Sequence, residues 1–455
     1  MYDRGLDVAV IGGGISGLGA ALALHKAGRN VALFEASPTL GGCIGSIRSG
    51  SYIADRGPQT LVSSAPLAAL IDDVGLGDRV LHASRASAKR YVYRRGRLLA
   101  VPVSPAAFIA SPILSSGAKL RLLSEPFIDR GQTDDDESVA AFFARRVGPE
   151  TVDAVVAPLM SGIYAGDPAR LSACSTMPAV VRFEKEHGSI ARGFFANRAR
   201  ARSAKQGSAF ARQTIGFSGG NDALIRALGS RLAGRAYTDA RAISLRQRGA
   251  GFTVEFDGLP ERTVETKRVL IATPAGAAAK LLEPLEADAA HALAEIRYVP
   301  IAQVAIAYKR ADVGVPLDGF GFLVARGENA RILGAVWNSA VFADRAPAGN
   351  ILCTAFVGGA LDETVAELSD DALARIVDTD LRRIMRIADG TPTVVAGFRW
   401  AAAIPQYEIG HAQRLARITA GVARVPGLAL TGNYLDGVSV ADCIRHARQA
   451  ASALF

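Results

Sequence analysis

Short apolar runs rich in β-branched residues mark the start of this chain. Leu6-Asp7-Val8-Ala9-Val10-Ile11 stops abruptly at Gly12-Gly13-Gly14, and Asn30 to Phe34 forms a second run. Runs of this length bounded by turn residues predict strands buried in a sheet. Between them an Ala/Leu-rich stretch from Leu18 to Ala27 predicts a helix, closed by Gly28 as a C-terminal glycine. Further along, Phe217-Ser218-Gly219-Gly220-Asn221 reads as a turn with Asn221 as N-cap, followed by a helix over 222–232. Three strands are expected next, at 240–245, 252–256 and 268–272, as a meander ending in Thr273-Pro274. Residues 302–308, 321–325 and 351–358 read as strands of a separate unit. The run 427–434 predicts a final strand entering a glycine turn, and roughly 441–454 a last helix. The mixture of strand and helix along one chain places it in the α/β class.

The first of these turns carries chemistry. Strand, Gly12-Gly13-Gly14-Ile15-Ser16-Gly17, helix, second strand and then Glu35 follow one another in the order of a Rossmann-type nucleotide site. Gly12 permits the tight turn, Gly14 lets a pyrophosphate approach the backbone, and Gly17 lets the helix pack on the strand. The helix start offers free N–H groups to phosphate. Glu35 is placed for ribose hydroxyls, which favours FAD or NAD over a 2′-phosphorylated cofactor. FAD is preferred because glycine turns recur where a longer dinucleotide would run. Gly41-Gly42 lies just past Glu35, Asp55-Arg56-Gly57-Pro58 begins another turn, and the C-terminal glycine turn offers a helix start to the flavin end.

Composition narrows the partners. The chain has 455 residues, 49% hydrophobic and 21% charged, which is enough for two or three domains with a substantial core. Its formal net charge is +9, which fits an anionic partner such as a membrane surface or an acidic substrate. No zinc-knuckle, homeodomain or RNP signature accompanies the charge, so nucleic acid is not expected. Cys43, Cys174, Cys353 and Cys443 are far apart, and neither CxxC nor HExxH spacing occurs, so no metal is expected and a reducing compartment is. The start leaves no room for a signal peptide, and no apolar run reaches about 18 residues. A cytoplasmic protein, or one on the cytoplasmic face of a membrane, is the expectation. One stretch is strongly basic: Arg192, Arg198, Arg200, Arg202, Lys205 and Arg212. It reads either as a solvated loop or as a patch for anionic headgroups.

Several further motifs make the sequence resemble the protoporphyrinogen oxidases, the oxygen-dependent flavoenzymes of haem synthesis, within the monoamine oxidase and phytoene desaturase superfamily. They are Lys89-Arg90-Tyr91-Val92-Tyr93, Ser124-Glu125-Pro126-Phe127, Gly162-Ile163-Tyr164-Ala165-Gly166-Asp167 and Gly319-Phe320-Gly321-Phe322-Leu323-Val324. Phe356-Val357-Gly358-Gly359, Ile404-Pro405-Gln406-Tyr407 and Gly437-Val438-Ser439-Val440-Ala441-Asp442-Cys443-Ile444 continue the likeness nearly to the end. The nucleotide fingerprint is shared by the whole superfamily, whereas the last two elements are much narrower.

The resemblance implies a p-hydroxybenzoate-hydroxylase-like FAD domain built from 1–79, 212–280 and 412–455. It implies an α+β substrate domain from 80–120 and 281–411, and a mostly helical membrane-facing part over 121–211. FAD contacts would fall on Gly12, Gly13, Gly14, Ile15, Ser16, Gly17, Glu35, Gly42 and Cys43. Gly57, Pro58, Gln59, Thr60, Ala242, Val438, Ser439 and Val440 would add to these, with Trp400 as a flavin-side candidate. Phe320, Leu323 and Phe356 would form an apolar wall, and the Gly162 carbonyl would face the macrocycle. Arg90 would pair a propionate, because guanidinium holds a carboxylate bidentately.

Two departures sharpen the expectation. Cys43 stands where amine oxidases of the superfamily usually carry arginine, and no Ser-Gly-Gly-Cys-Tyr element anchors flavin near the C-terminus. Both favour the porphyrinogen branch and non-covalent FAD. The implied reaction is oxidation of protoporphyrinogen IX to protoporphyrin IX with hydrogen peroxide as by-product, and no side chain is assigned as catalytic acid or base. Oxidation of coproporphyrinogen III remains the alternative, and a flavin amine oxidase or polyene desaturase a more distant one. The implied partners are a tetrapyrrole, molecular oxygen and a membrane surface, and a homodimer is compatible with all of these.

Overall fold

The computed structural model describes residues 5–102, 105–131, 136–203, 213–388 and 390–455. Of the basic stretch, Lys205 and Arg212 lie outside the described residues.

The run Leu6–Ile11 is the central strand of a seven-stranded sheet, and Val8, Ala9 and Val10 are fully buried in it. It pairs in parallel with Val31–Phe34 on one side and Thr263–Ile271 on the other. Leu428–Leu430 pairs in parallel with Thr263–Ile271, so both ends of the chain meet in one sheet. Arg241–Arg248, Gly251–Asp257 and Thr263–Ile271 form the antiparallel meander. The helix Ile15–Lys26 is apolar nearly all round, as befits a helix with neighbours on every side. The last helix, Val440–Ala453, packs along it, with Ala447 against Gly19.

A second seven-stranded sheet runs in the order Thr393–Pro405, Tyr298–Lys309, Asn350–Gly358, Ile332–Val336, Gly321–Val324, Tyr91–Arg94, Arg97–Ala100. One face is covered by the helix Asp370–Met385, whose buried Leu373, Val377, Leu381 and Ile384 recur every three or four residues. The other face packs on the strand Tyr52–Arg56, whose Ala54 lies among Ala305, Ala307 and Leu352.

Helices between Val139 and Ser203 form the third part. Its lock is a buried ion pair between Arg146 and Glu125, the acid of the Ser-Glu-Pro-Phe motif. Glu125 also accepts from Ser189 Oγ and from the N–H groups of Ile190 and Ala191, so it fastens the start of the basic helix Ile190–Ser203. No helix among the described residues is long and apolar enough to cross a membrane.

Asn221 stands at the N-cap position of the helix Asp222–Arg231, as expected, but its side chain makes no cap hydrogen bond; the final strand is Leu428–Leu430, and the chain turns at Thr431-Gly432. The longest strand, Thr393–Pro405, was not expected. It is an edge strand, and its Ala396-Gly397 and Ala401-Ala402-Ala403 stretches are poor strand formers, so nothing in them marks a strand in sequence.

Candidate functional site

The glycines of the fingerprint are required for different reasons. A Cβ on Gly17 would lie 1.8 Å from the Gly12 carbonyl oxygen, and Gly12 has φ +109° with Ala272 O 2.7 Å from its Cβ position. These two serve the protein itself. Gly14 is different: its backbone is extended, with φ −70°, and a Cβ there would meet no protein atom within 4 Å. The open space above it is what a dinucleotide pyrophosphate needs. Glu35 closes the turn, since its Oε2 accepts from Gly13 N–H at 2.6 Å and its Oε1 from Ser37. The 237–240 segment lies against it through Glu35 N to Tyr237 O and Ala240 N to Glu35 O, which brings the strand carrying Ala242 alongside.

The second glycine pair folds over the first. Gly41 N–H donates to Gly13 O, and a Cβ on Gly42 would come 3.3 Å from Gly14 Cα. Cys43 is exposed beside Arg56, and desolvation pushes its thiol above the usual range while Arg56 pulls the other way. Arg56 itself reaches back to Gly42 O at 2.9 Å. Ser439 caps the last helix by accepting from Asp442 N–H, and two turns on Ala447 meets Gly19 of the first helix, so the two helices run side by side from their starts. Two helix starts thus converge on one place, both with N–H groups free of intrahelical partners.

The 55–60 turn is held by residues that no motif marks. Gln303, buried in the middle of Tyr298–Lys309, accepts from Gly57 N–H at 3.0 Å and donates to Gly57 O at 2.7 Å. Gln59 Nε2 donates to Asp55 O, and Asn338 Nδ2 donates to Gln59 Oε1 at 2.7 Å. Asn221 Nδ2 donates to Pro58 O and Gln59 O, which is the work its side chain does in place of capping. Asp55 accepts from Asn221 N–H and Ser46, and pairs with buried Arg345. Four side chains from distant parts of the chain thus fix one short loop.

Strand register brings the wall residues together. Leu323 stands opposite Gly334, Gly334 opposite Phe356, Phe356 opposite Gln303, and Gln303 opposite Phe398. Directly opposed residues share a face, so this row looks toward the Gly57 turn. Trp400, two residues past Phe398, is on the same face, with ring centroids 6.1 Å apart. Gly162 lies against Leu323, since a Cβ on it would come 2.8 Å from Leu323 Cδ2. The helix Ala157–Tyr164 that carries it is pinned by Gln406 of the Ile-Pro-Gln-Tyr motif, whose Nε2 donates to Tyr164 O. Tyr164 is buried, which lifts its phenol to about 12, and it packs against Tyr407, whose hydroxyl donates to Asn433 O beside the C-terminal turn.

Arg90 sits at the outer end of this wall with its guanidinium 5.1 Å from the Phe320 ring. Its nearest acid in sequence register, Asp318, is already held by Lys89 at 2.6 Å and by the Tyr91 hydroxyl. Arg94 is engaged by Glu150 and the Ile113 carbonyl, and Arg95 leans on the same Glu150. Arg90 therefore presents a cation with no carboxylate partner among the described residues.

Taken together, the fold and this site define a flavin-dependent oxidoreductase. The chain belongs to the flavin-containing amine oxidoreductase family, whose pattern matches residues 15–455. Within the family its relatives are porphyrinogen oxidases. It is 31% identical over 469 residues to the coproporphyrinogen III oxidase of Bacillus subtilis, covering 99% of this chain and 98% of that one. It is 32% identical over 483 residues to the protoporphyrinogen oxidase of Homo sapiens, covering 98% of each. In structure it matches an Exiguobacterium protein named as a protoporphyrinogen oxidase with a TM-score of 0.82 at 23% identity, over 100% and 99% of the two chains. A putrescine oxidase matches with 0.71 at 17%, over 99% and 98%, so the fold is shared with amine oxidases. FAD is the cofactor, and the open space at Gly14, Glu35 and the two helix starts fit it.

Proposed function

We propose that this enzyme oxidises protoporphyrinogen IX to protoporphyrin IX, with oxygen as the final acceptor and hydrogen peroxide as the by-product. The observation that carries this reading is the continuous apolar row from Leu323 through Gly334 to Phe356. It abuts Gly162, ends on an unpaired arginine, and faces the loop assigned to the flavin. Bound FAD supplies the hydride acceptor, the flavin N5, and the protein supplies position and dryness. Leu323 and Phe356 present an apolar surface to the macrocycle and exclude water from it. Arg90 pairs a propionate and so sets which methylene bridge lies over the flavin. Gln59, Pro58 and Thr60 line the flavin end, and Ala242 the adenosine end.

Coproporphyrinogen III is the second reading. The Bacillus subtilis relative is named for it, and Arg97, exposed in the same hairpin as Arg90, would serve an extra carboxylate. Anaerobically prepared porphyrinogens, followed by porphyrin fluorescence, separate the two. A kcat/KM at least about tenfold higher on protoporphyrinogen, roughly 1.4 kcal/mol of discrimination, is the expected result. The reverse order assigns the enzyme to the tetracarboxylate.

The helical part is proposed to rest on an anionic membrane surface. Leu120, Leu123 and Phe127 are 68%, 60% and 82% exposed, and they lead into Glu125 and the basic helix it fastens. On that helix Phe194 and Phe195 are exposed beside Arg192 and Arg198. Each basic charge near such a surface contributes on the order of 1 kcal/mol, and salt weakens it. Sedimentation with anionic vesicles should exceed that with neutral ones and fall at high salt. Equal binding to both leaves this as a solvated face.

A further inference from the structure

Gln303 interrupts an otherwise unbroken apolar strand, Val-Pro-Ile-Ala-Gln-Val-Ala-Ile-Ala, and is only 4% exposed. An amide buried there costs free energy unless its donors and acceptors are used, and methionine would fill the space without that cost. Its polar atoms are spent on one residue. Oε1 takes the Gly57 N–H and Nε2 gives to the Gly57 carbonyl, which a side chain manages only when held in plane with that peptide edge. In register, Gln303 stands between Phe356 of the apolar wall and Phe398, on the longest-paired strand of the second sheet. The strand that carries the clamp on the 55–60 turn is thus paired directly with the strand that carries Phe356 of the wall.

We propose that Gln303 is a positioning residue for hydride transfer, fixing the distance and tilt between the flavin end of FAD and the substrate held on the Leu323–Phe356 row. This rests on the reading that the 57–60 loop seats the flavin. Through Gln303 the wall and the loop move as one body. Without it the loop keeps its bonds from Asn221 and Asn338 but loses its direct tie to the strand paired with Phe356. A misplacement of about 1 Å at a reacting centre costs on the order of 100-fold in rate, while ground-state binding changes little.

The test uses the FAD-loaded enzyme and Gln303→Met, with anaerobic flavin reduction by protoporphyrinogen IX and visible circular dichroism of the flavin as readouts. Reduction should slow by about 100-fold, the substrate KM should change by less than about threefold, and the flavin dichroism should differ from wild type. Gln303→Glu gives a second signature. A protonated carboxyl reproduces both bonds to Gly57, whereas a carboxylate cannot donate to its carbonyl. Reduction by this variant should therefore approach wild type at acid pH and fall as pH rises through the carboxyl pKa. This variant decides the matter if Gln303→Met does not fold. Wild-type rates and flavin dichroism in Gln303→Met, or a Gln303→Glu rate profile parallel to wild type, overturn the proposal. Hydrogen exchange of wild-type apoprotein with and without FAD tests the underlying reading separately. If FAD does not protect the amides of 55–60, the loop does not seat the flavin. If it protects them and the variants behave as wild type, only the role of Gln303 is wrong.

Discussion

Gly14→Val should yield a folded, colourless protein. The valine Cβ meets no protein atom within 4 Å, and the backbone at φ −70° and ψ 178° is one that valine adopts without strain. The apoprotein should therefore melt within a few degrees of wild-type apoprotein. What the side chain fills is the space for the pyrophosphate, so FAD affinity should fall more than about 1000-fold, some 4 kcal/mol. Added FAD should raise the melting temperature of wild type but not of the variant, because only a ligand that binds the native state stabilises it. Acid precipitation of wild type should release intact FAD. Flavin that stays with the pellet contradicts a non-covalent cofactor, and a yellow Gly14→Val protein removes the pyrophosphate from this turn. Gly17→Ala makes the contrast, since its Cβ would collide with Gly12 O and the fold itself should suffer.

Arg90→Ala should raise KM for the porphyrinogen about 30-fold and leave FAD content and melting temperature nearly unchanged. That factor corresponds to about 2 kcal/mol, the lower end for breaking a hydrogen-bonded charge pair, because the guanidinium begins exposed to water. Stability is spared because the side chain holds no carboxylate of its own protein. The loss in kcat should be smaller, arising from misplacement of the macrocycle. Arg90→Lys should recover part of the affinity, since a point charge lacks the fork. A propionate diester makes the decisive comparison: it should bind wild type weakly, and acid and diester should be nearly equivalent for Arg90→Ala. If the variant still separates acid from diester as wild type does, the anchor lies elsewhere. Arg97 then comes next, because Arg94 and Arg95 are engaged by Glu150.

What could be read from the sequence was what is local. The strand, glycine turn, helix and acid around Gly12 to Glu35 are set by neighbours in the chain, and the structure forms each where the pattern places it. The meander and the strands at Tyr298–Lys309 and Asn350–Gly358 announced themselves through buried, β-branched runs. Which residues face one another was not legible. Leu323 and Phe356 entered through a resemblance, and only strand register shows that Gly334 joins them. Asn221 illustrates the limit. Its place before a helix suggests a cap, but its amide is spent on Pro58 and Gln59, far away in sequence. Gln303 did leave a signal, a single amide inside a strand that is otherwise entirely apolar. Asn338 and Gln406, in mixed surroundings, left less.

The packing of the first helix against the last has a consequence for biosynthesis. The nucleotide turn is synthesised well before the helix Val440–Ala453, so the apolar face of the first helix that this helix covers waits for it. At roughly 5–20 residues per second, 455 residues take about 20–90 s. A chain shortened by its last helix would expose this apolar stripe permanently, and quality-control proteases would see it as unfinished.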